Sequence, residues 1–151
     1  MQITYSDASQ LLAIHTSLTH LEIYVLSKID PLCPSDLPNL QSIVALREIV
    51  AIIVPGRPVR SITILHPEKT GFEMPVDYDV YLAITRSTVP VAYLKVDVGC
   101  SSRIESLAGM LLQYFSNKFP DLEHLSLHGD TGYFGMSDDR VSRGTLLIWL
   151  I

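Results

Sequence analysis

One spacing of apolar residues recurs along the chain: the first, fourth and sixth positions of a six-residue segment are apolar. The spacing is complete in Leu18–Ile23, Val59–Ile64, Val91–Val96 and Leu122–Leu127. A fifth copy, Leu37–Ser42, has a serine at its sixth position and is irregular. Residues two apart lie on the same face of a strand, so each copy predicts a strand with one buried face.

Segments with helical periodicity alternate with these strands. Short helices are predicted at Asp7–Thr16 and Asp77–Ser87, and an apolar helix at Val44–Ile53. The best-defined helix is Ser102–Lys118, which has a continuous apolar stripe and begins with the capping box Ser102-x-x-Glu105. Strand and helix therefore alternate over most of the chain.

Prolines mark the start of three of the strands at nearly the same offset. Pro58 and Pro90 directly precede Val59 and Val91, and Pro120 lies two residues before Leu122. The fourth positions are 19, 22, 32 and 31 residues apart, at Leu21, Leu40, Ile62, Leu94 and Leu125. These intervals lie around the length of leucine-rich repeats, although the last two exceed it.

A single strand with one helix cannot bury both of its faces, whereas stacked copies can. The sequence therefore predicts an α/β fold, a short and irregular leucine-rich-repeat-like solenoid with parallel strands and helices on the outer face. Residues 1–151 form one domain or fragment, with an irregular C-terminal part at 128–151. The apolar run Leu146–Ile151 predicts a strand that lacks its next neighbour or reflects truncation.

Composition narrows the class of protein. Of 151 residues, 48% are hydrophobic and 18% charged, which is typical of a globular domain. The formal net charge of −5 and the scattered Lys and Arg residues argue against a nucleic-acid partner. No apolar run approaches the ~18 residues of a membrane span, so no membrane partner is expected.

Cysteine usage and the N-terminal sequence indicate the compartment. The chain starts without the basic and apolar segments of a signal peptide, and Cys33 and Cys100 have no CxxC spacing. We expect free thiols and a cytoplasmic or nuclear location, although a single disulfide between the two cysteines remains open.

Asp130-Thr131-Gly132 is the one motif that suggests catalysis. Retropepsin-like aspartic proteases place this tripeptide after an apolar strand, and two such aspartates share a proton. Here His128 and Gly129 separate it from the strand and no second copy exists, so a homodimer would be needed. A polar turn after the strand is the favoured interpretation, and we expect no enzyme activity and no cofactor.

The remaining reactive residues also favour structural roles. His124 and His128 share a face, but a metal site needs more than two ligands. His20 could face the same side, and no carboxylate or Cys has a matching spacing, so exposed histidines on the sheet are the favoured interpretation. Cys100 follows Gly99 and is expected in a strand-to-helix turn rather than as a nucleophile. Arg57, between Pro55 and Pro58, is expected to be a solvated charge, with a contact residue as the alternative.

Two stretches resemble a known family. They are Leu37-Pro-Asn-Leu40 through Val54-Pro-Gly-Arg-Pro-Val59-x-Ser-Ile62-Thr-Ile64, and Phe119-Pro-Asp-Leu-Glu-His-Leu-Ser-Leu127. Over residues 16–128 the chain resembles the leucine-rich-repeat region of F-box-type proteins of the kind expanded in mushroom-forming fungi. The Pro-Gly-Arg-Pro-Val step is its most specific part. The polar residue that such repeats place three positions after the last strand position occurs only as Asp130.

The resemblance implies a role in substrate recognition for a ubiquitin ligase. In that family an F-box binds a Skp1-type adaptor, and the repeats present substrates. No segment here resembles an F-box, so adaptor binding would require an F-box outside this chain.

The open face, defined as the third, fifth and seventh positions of each strand, is the predicted interaction surface. We expect it to bind a protein partner, because solenoids bind proteins through such surfaces and Tyr is common at binding hot spots. An inert, truncated repeat fragment is the alternative. The predicted face comprises His20, Glu22 and Tyr24; Ser61, Thr63 and Leu65; Tyr93, Lys95 and Asp97; and His124, Ser126 and His128.

Overall fold

The computed structural model describes residues 12–24, 32–33, 35–65, 78–100, 113–115, 117–131 and 142–149, with the backbone alone at 78, 98–100, 129–131 and 142–149. Parts of several sequence predictions therefore lie outside the described residues, including Asp77 of the predicted helix Asp77–Ser87, residues 132–141, and the last two residues of the predicted strand Leu146–Ile151. Also outside are the start of the first helix, most of the helix from Ser102 to Lys118 with its capping box, and Gly132 of the Asp-Thr-Gly motif.

The described residues form an α/β fold around one six-stranded sheet. Its strands lie side by side in the order of the chain; β1 to β5 are parallel and β6 is antiparallel to β5. One-turn helical segments lie at 12–14, 113–115 and 117–118. The bounds are β1 (His20–Ile23), β2 (Ser42–Leu46), α1 (Arg47–Ile53), β3 (Ser61–Leu65), α2 (Tyr78–Ile84), β4 (Tyr93–Cys100), β5 (His124–Thr131) and β6 (Ser142–Trp149).

Each parallel strand begins two residues after the first apolar position of its repeat. The ladder aligns five equivalent residues, His20, Ser42, Ser61, Tyr93 and His124. The predicted alignment is correct for four repeats and wrong for the second, where Leu40 rather than Leu37 is the first position. Leu37 has a φ of 56°, in the left-handed region that a strand residue does not adopt. With this shift, Leu40, Ile43 and Ala45 complete the spacing that seemed to fail at Ser42.

Backbone hydrogen bonds join successive repeats in the same way four times. The second position of one repeat accepts two N–H groups from the second and third positions of the next repeat, at 2.8–3.1 Å. The accepting carbonyls belong to Thr19, Gln41, Arg60 and Ala92. The strands are therefore held in register at their amino ends, whatever the length of the segment between them.

Alternation along the strands buries one face of the sheet against the helices. The helical segments contribute Ile49, Val50 and Ile53 of α1, Val80, Tyr81 and Ile84 of α2, and Phe115 and Phe119 to the same core. The ring of Tyr81 meets that of Phe115 edge-on, with 4.9 Å between centroids. The fourth and sixth positions of the strands supply Leu21, Ile43, Ala45, Ile62, Ile64, Leu94, Val96, Leu125 and Leu127.

The second predicted helix begins three residues later than expected. Val44 to Leu46 belong to β2, and α1 follows without a connecting loop. The backbone at Leu46 is extended and provides no side-chain cap, while Glu48 in the first turn favours the helix dipole. The helix predicted around Asp77–Ser87 is confirmed as α2.

The described residues of the C-terminal part, 128–131 and 142–149, are more regular than expected. Residues 128–131 continue β5, and 142–149 form β6. The strand predicted at Leu146–Ile151 thus begins earlier, at Ser142. It pairs with β5, since Leu125 pairs with Ile148 and Thr131 with Ser142, and it is the last strand in the order of the sheet. Within the described ranges, no helix has the length and apolar character needed to cross a bilayer.

Candidate binding face

The ladder brings the open face together as rows that cross the strands. One row runs from His20 through Ser42, Ser61 and Tyr93 to His124. The next row runs two residues further along each strand, as Glu22, Val44, Thr63, Lys95 and Ser126. Side chains in one row of a parallel sheet stand about 4.8 Å apart, so a single partner could contact several of them at once.

The exposed end of the open face is β1 and the residue that follows it. His20, Glu22 and Tyr24 are exposed, with Tyr24 66% exposed. The Tyr24 hydroxyl donates a hydrogen bond to Oε1 of Glu22. This bond raises the pKa of Tyr24, with smaller contributions in the same direction from desolvation and from the negative charge of Glu22. The bond also orients the carboxylate of Glu22 on the surface.

The other end is formed by β4 and β5. Tyr93 is 38% exposed, and its ring lies 5.5 Å from that of His124 at a tilt of 41°. Asp97 pairs with His128 in the ladder, and both are half-buried. Ser126 is only 5% exposed, so of the predicted contact residues it is the one least able to reach a partner.

Sequence reasoning missed the contribution of β2. Ser42 and Val44 occupy the third and fifth positions of that strand and are half-buried. The incorrect alignment of the second repeat had removed them from the face. The Leu40-x-x-Ile43-x-Ala45 spacing was the signal that could have found them, since it matches the other repeats without exception.

Arg57 is neither a solvated charge nor a surface contact. Its side chain is 1% exposed. Nε donates to the carbonyl of Asp36 at 2.7 Å, and Nη2 donates to that of Cys33 at 2.6 Å. Nη1 donates to the carbonyls of Ile53 and of Pro55, the latter at 3.1 Å. Four of the five guanidinium N–H groups are thus bound to backbone oxygens.

The backbone carbonyl of Arg57 connects this turn to the turn that precedes β4. It accepts hydrogen bonds from the backbone N–H of Thr88 at 3.0 Å and from the hydroxyl of Ser87 at 2.9 Å. Burial lowers the pKa of Arg57, while the charge of Asp36 acts in the opposite direction. A guanidinium nevertheless stays charged at ordinary pH. Arg57 therefore ties the turns that precede β2, β3 and β4 to one another.

The residues considered for catalysis are placed differently from expectation. Asp130 and Thr131 lie within β5 rather than in a turn, and Asp130 pairs with Cys100 of β4 and Arg143 of β6. Cys100 is likewise in a strand rather than in a strand-to-helix turn. Cys33 is exposed as a free thiol. Among the side chains that the structure describes, no three His, Cys, Asp or Glu residues are grouped to hold a metal ion.

Comparisons with models of protein families, with curated proteins and with solved structures found no match to this chain.

Proposed function

We propose that this protein is a protein-binding module of the leucine-rich-repeat-like solenoid type rather than an enzyme, and that the open face is its contact surface. The observation that carries the proposal is the alignment of polar and aromatic side chains across five parallel strands. Tyr93 and His124 lie at one end of this surface, and Tyr24 with Glu22 at the other. Tyr side chains combine large contact area with a polar group, which suits binding hot spots.

Two features support a solenoid as the scaffold. The repeats all share the same apolar spacing once the second is aligned on Leu40, and the same pair of backbone hydrogen bonds joins each repeat to the next. Stacked repeats of this kind present one continuous surface built from equivalent positions. The resemblance to F-box-type proteins extends the proposal to substrate recognition for a ubiquitin ligase, in the cytoplasm or nucleus.

Site-specific photo-crosslinking tests the contact surface. A benzoylphenylalanine would replace Tyr93 in one variant and Leu82 in another, in cells that naturally express the chain. Leu82 is 47% exposed on α2 and serves as the matched control on the helical side. We expect a reproducible adduct of one mass from position 93 and none of that mass from position 82.

The second step uses the crosslinked partner in purified form. Tyr93→Ala combined with His124→Ala should weaken its binding by about tenfold or more, while circular dichroism stays that of the unchanged protein. Equal adducts from both crosslinking positions, no adduct from position 93, or an unchanged affinity of the double variant would each contradict the assignment of this face.

A further inference from the structure

Along its third and fifth positions the open face has the shape of a trough, because small side chains on β2 and β3 lie between large ones on the flanking strands. At the seventh position β2 and β3 carry the larger Leu46 and Leu65, which end the trough. Ser42 and Val44 on β2, and Ser61 and Thr63 on β3, are all half-buried. On one side stand the exposed His20 and Glu22; on the other stand Tyr93 and Lys95. The backbones of β1 and β4 are three strand spacings apart, about 14 Å.

The width of the trough suits an extended chain better than a helix. A single extended backbone occupies about 5 Å, the spacing of one strand, and would leave room for a side chain on either side. An α-helix with its side chains is about 10–12 Å across and would rest on the rims. An extended peptide could therefore reach the floor of the trough.

The floor offers hydrogen-bonding groups that the described part of the protein does not use. The hydroxyls of Ser42, Ser61 and Thr63 have no partner among the described residues. A hydroxyl both donates and accepts, so it can serve either the N–H or the C=O of a peptide. An extended chain whose side chains point to the two rims turns these backbone groups toward the floor.

The two rims carry opposite charges at the same level. Glu22 and Lys95 occupy the same row, connected through Val44 and Thr63. Neither the carboxylate nor the ammonium forms an ion pair within the described residues. Successive side chains of an extended peptide point to opposite sides. Two adjacent residues of opposite charge would therefore meet Glu22 with the basic one and Lys95 with the acidic one.

We propose that the trough binds an extended peptide segment in which a basic and an acidic residue are adjacent. This inference rests on the proposed protein-binding function and specifies the form of the partner. It assigns Glu22 and Lys95 as residues that determine specificity, and the hydroxyls of β2 and β3 as contacts to the peptide backbone.

The test is an NMR titration with three blocked hexapeptides, Ser-Val-Lys-Glu-Val-Ser, Ser-Val-Glu-Glu-Val-Ser and Ser-Val-Lys-Lys-Val-Ser. The unchanged protein should bind the Lys-Glu peptide about two- to fivefold more tightly than the others, the size expected for one exposed ion pair. Shifts should concentrate at the amides of Ser61, Thr63 and Lys95. Added salt should reduce the preference.

Charge reversal should redirect the preference in a defined way. Glu22→Lys should favour the Glu-Glu peptide, and Lys95→Glu should favour the Lys-Lys peptide. The double variant should return to the Lys-Glu peptide, because an extended chain can lie in either direction. Asp121→Lys is the control for net charge, since Asp121 is exposed in the turn before β5, and it should leave the order of the peptides unchanged.

Two results would overturn the inference: no shifts at the trough residues with any peptide, or a preference that follows net charge equally in Asp121→Lys and Glu22→Lys. An adduct from position 93 together with either result would keep the protein-binding function and indicate a folded surface as the partner. Absence of that adduct would contradict the proposed function itself.

Discussion

Replacing Arg57 with Met should destabilise the protein more than any other change of a charged residue described above. The methionine replaces the aliphatic part of the arginine side chain with an unbranched apolar one and removes all of the guanidinium donors. The carbonyls of Cys33, Asp36, Ile53 and Pro55 would then lose this donor, in a site that is buried at Ile53 and partly buried at the others. The carbonyl of Cys33 keeps the N–H of Asp36 as a second donor. The turns that precede β2 and β3 would lose the group that connects them, whereas the backbone carbonyl of residue 57 would still accept from Ser87 and Thr88.

The magnitude follows from these four bonds. An unsatisfied buried polar group costs about 1–3 kcal/mol. At the low end of that range, the three carbonyls left without a donor give about 3 kcal/mol. Because the sites of Asp36 and Pro55 are only partly buried, we expect a loss of about 2–4 kcal/mol in the free energy of unfolding. Domains of this size are stable by about 5–15 kcal/mol. The melting temperature should fall by about 4–16 °C, at about 2–4 °C for each kcal/mol in a domain of this size.

Urea unfolding followed by circular dichroism provides the measurement, and Arg60→Met provides the control. Arg60 lies three residues further on and is exposed, so its replacement should change stability by about 0.5 kcal/mol or less. Arg57→Lys should fall between the two, near 2 kcal/mol by rough estimate, because an ammonium has three donors at one point and cannot reach all four carbonyls.

Comparing the urea midpoints of Arg57→Met and Arg60→Met tests whether the buried guanidinium stabilises the protein. If both variants unfold at the same urea concentration, the buried guanidinium does not hold the turns together. If Arg57→Lys is as stable as the unchanged protein, the charge matters and the fork geometry does not.

Three further predictions concern the core, the connection between repeats and the open face. Ile62→Ala should lower the free energy of unfolding by about 2–5 kcal/mol, whereas Ile14→Ala, at a residue that is 73% exposed, should change it by about 0.5 kcal/mol or less; similar losses would contradict the assigned burial. Ser87→Ala should cost about 1 kcal/mol because its single hydroxyl proton is shared between the carbonyls of Arg57 and Val59, and an unchanged urea midpoint would argue against that role. The pKa of Tyr24 should lie above the ordinary value of about 10 in an ultraviolet titration and fall in Glu22→Gln, whereas an equal titration in both proteins would exclude the hydrogen bond. Because the folded pKa is the higher one, the stabilisation from Tyr24 is present below about pH 10 and is lost as the pH rises through its folded pKa.

The apolar spacing predicted the strands and their buried faces in most repeats. It is reliable because residues two apart must share a face, and Ile62 and Ile64 or Leu125 and Leu127 obey that rule wherever they pack against helices. The parallel order of the first five strands also agrees with the alternation of strand and helix.

The errors arose where two structures compete for the same residues. Leu37-x-x-Leu40 repeats the strand spacing, but a turn uses it, with the N–H of Leu40 bound to the carbonyl of Leu37 at 3.2 Å. Val44 to Leu46 suit a helix as well as a strand, and pairing with β3 decides in favour of the strand. Spacing within a segment carries no information about which neighbour it will pair with.

Arg57 could not have been assigned from its neighbours in sequence. Its partners include carbonyls 21 and 24 residues away. An arginine between two prolines is compatible with exposure, and only the stacked arrangement of the turns creates a ring of acceptors around it. The same limit applies to the pairing of Asp130 with Arg143, because it depends on β6, which follows Asp130 in the chain.

Because of the hydrogen bonds at the second position of each repeat, the alignment of the strands does not depend on the length of the segments that connect them. The strands are aligned at Thr19, Gln41, Arg60 and Ala92, although the intervals between corrected equivalents such as Leu21, Ile43 and Ile62 differ from those further along. Doubling the length of a loop costs only about 0.6 kcal/mol. The outer segments of this protein can therefore lengthen or shorten over evolutionary time while the geometry that a partner recognises stays the same.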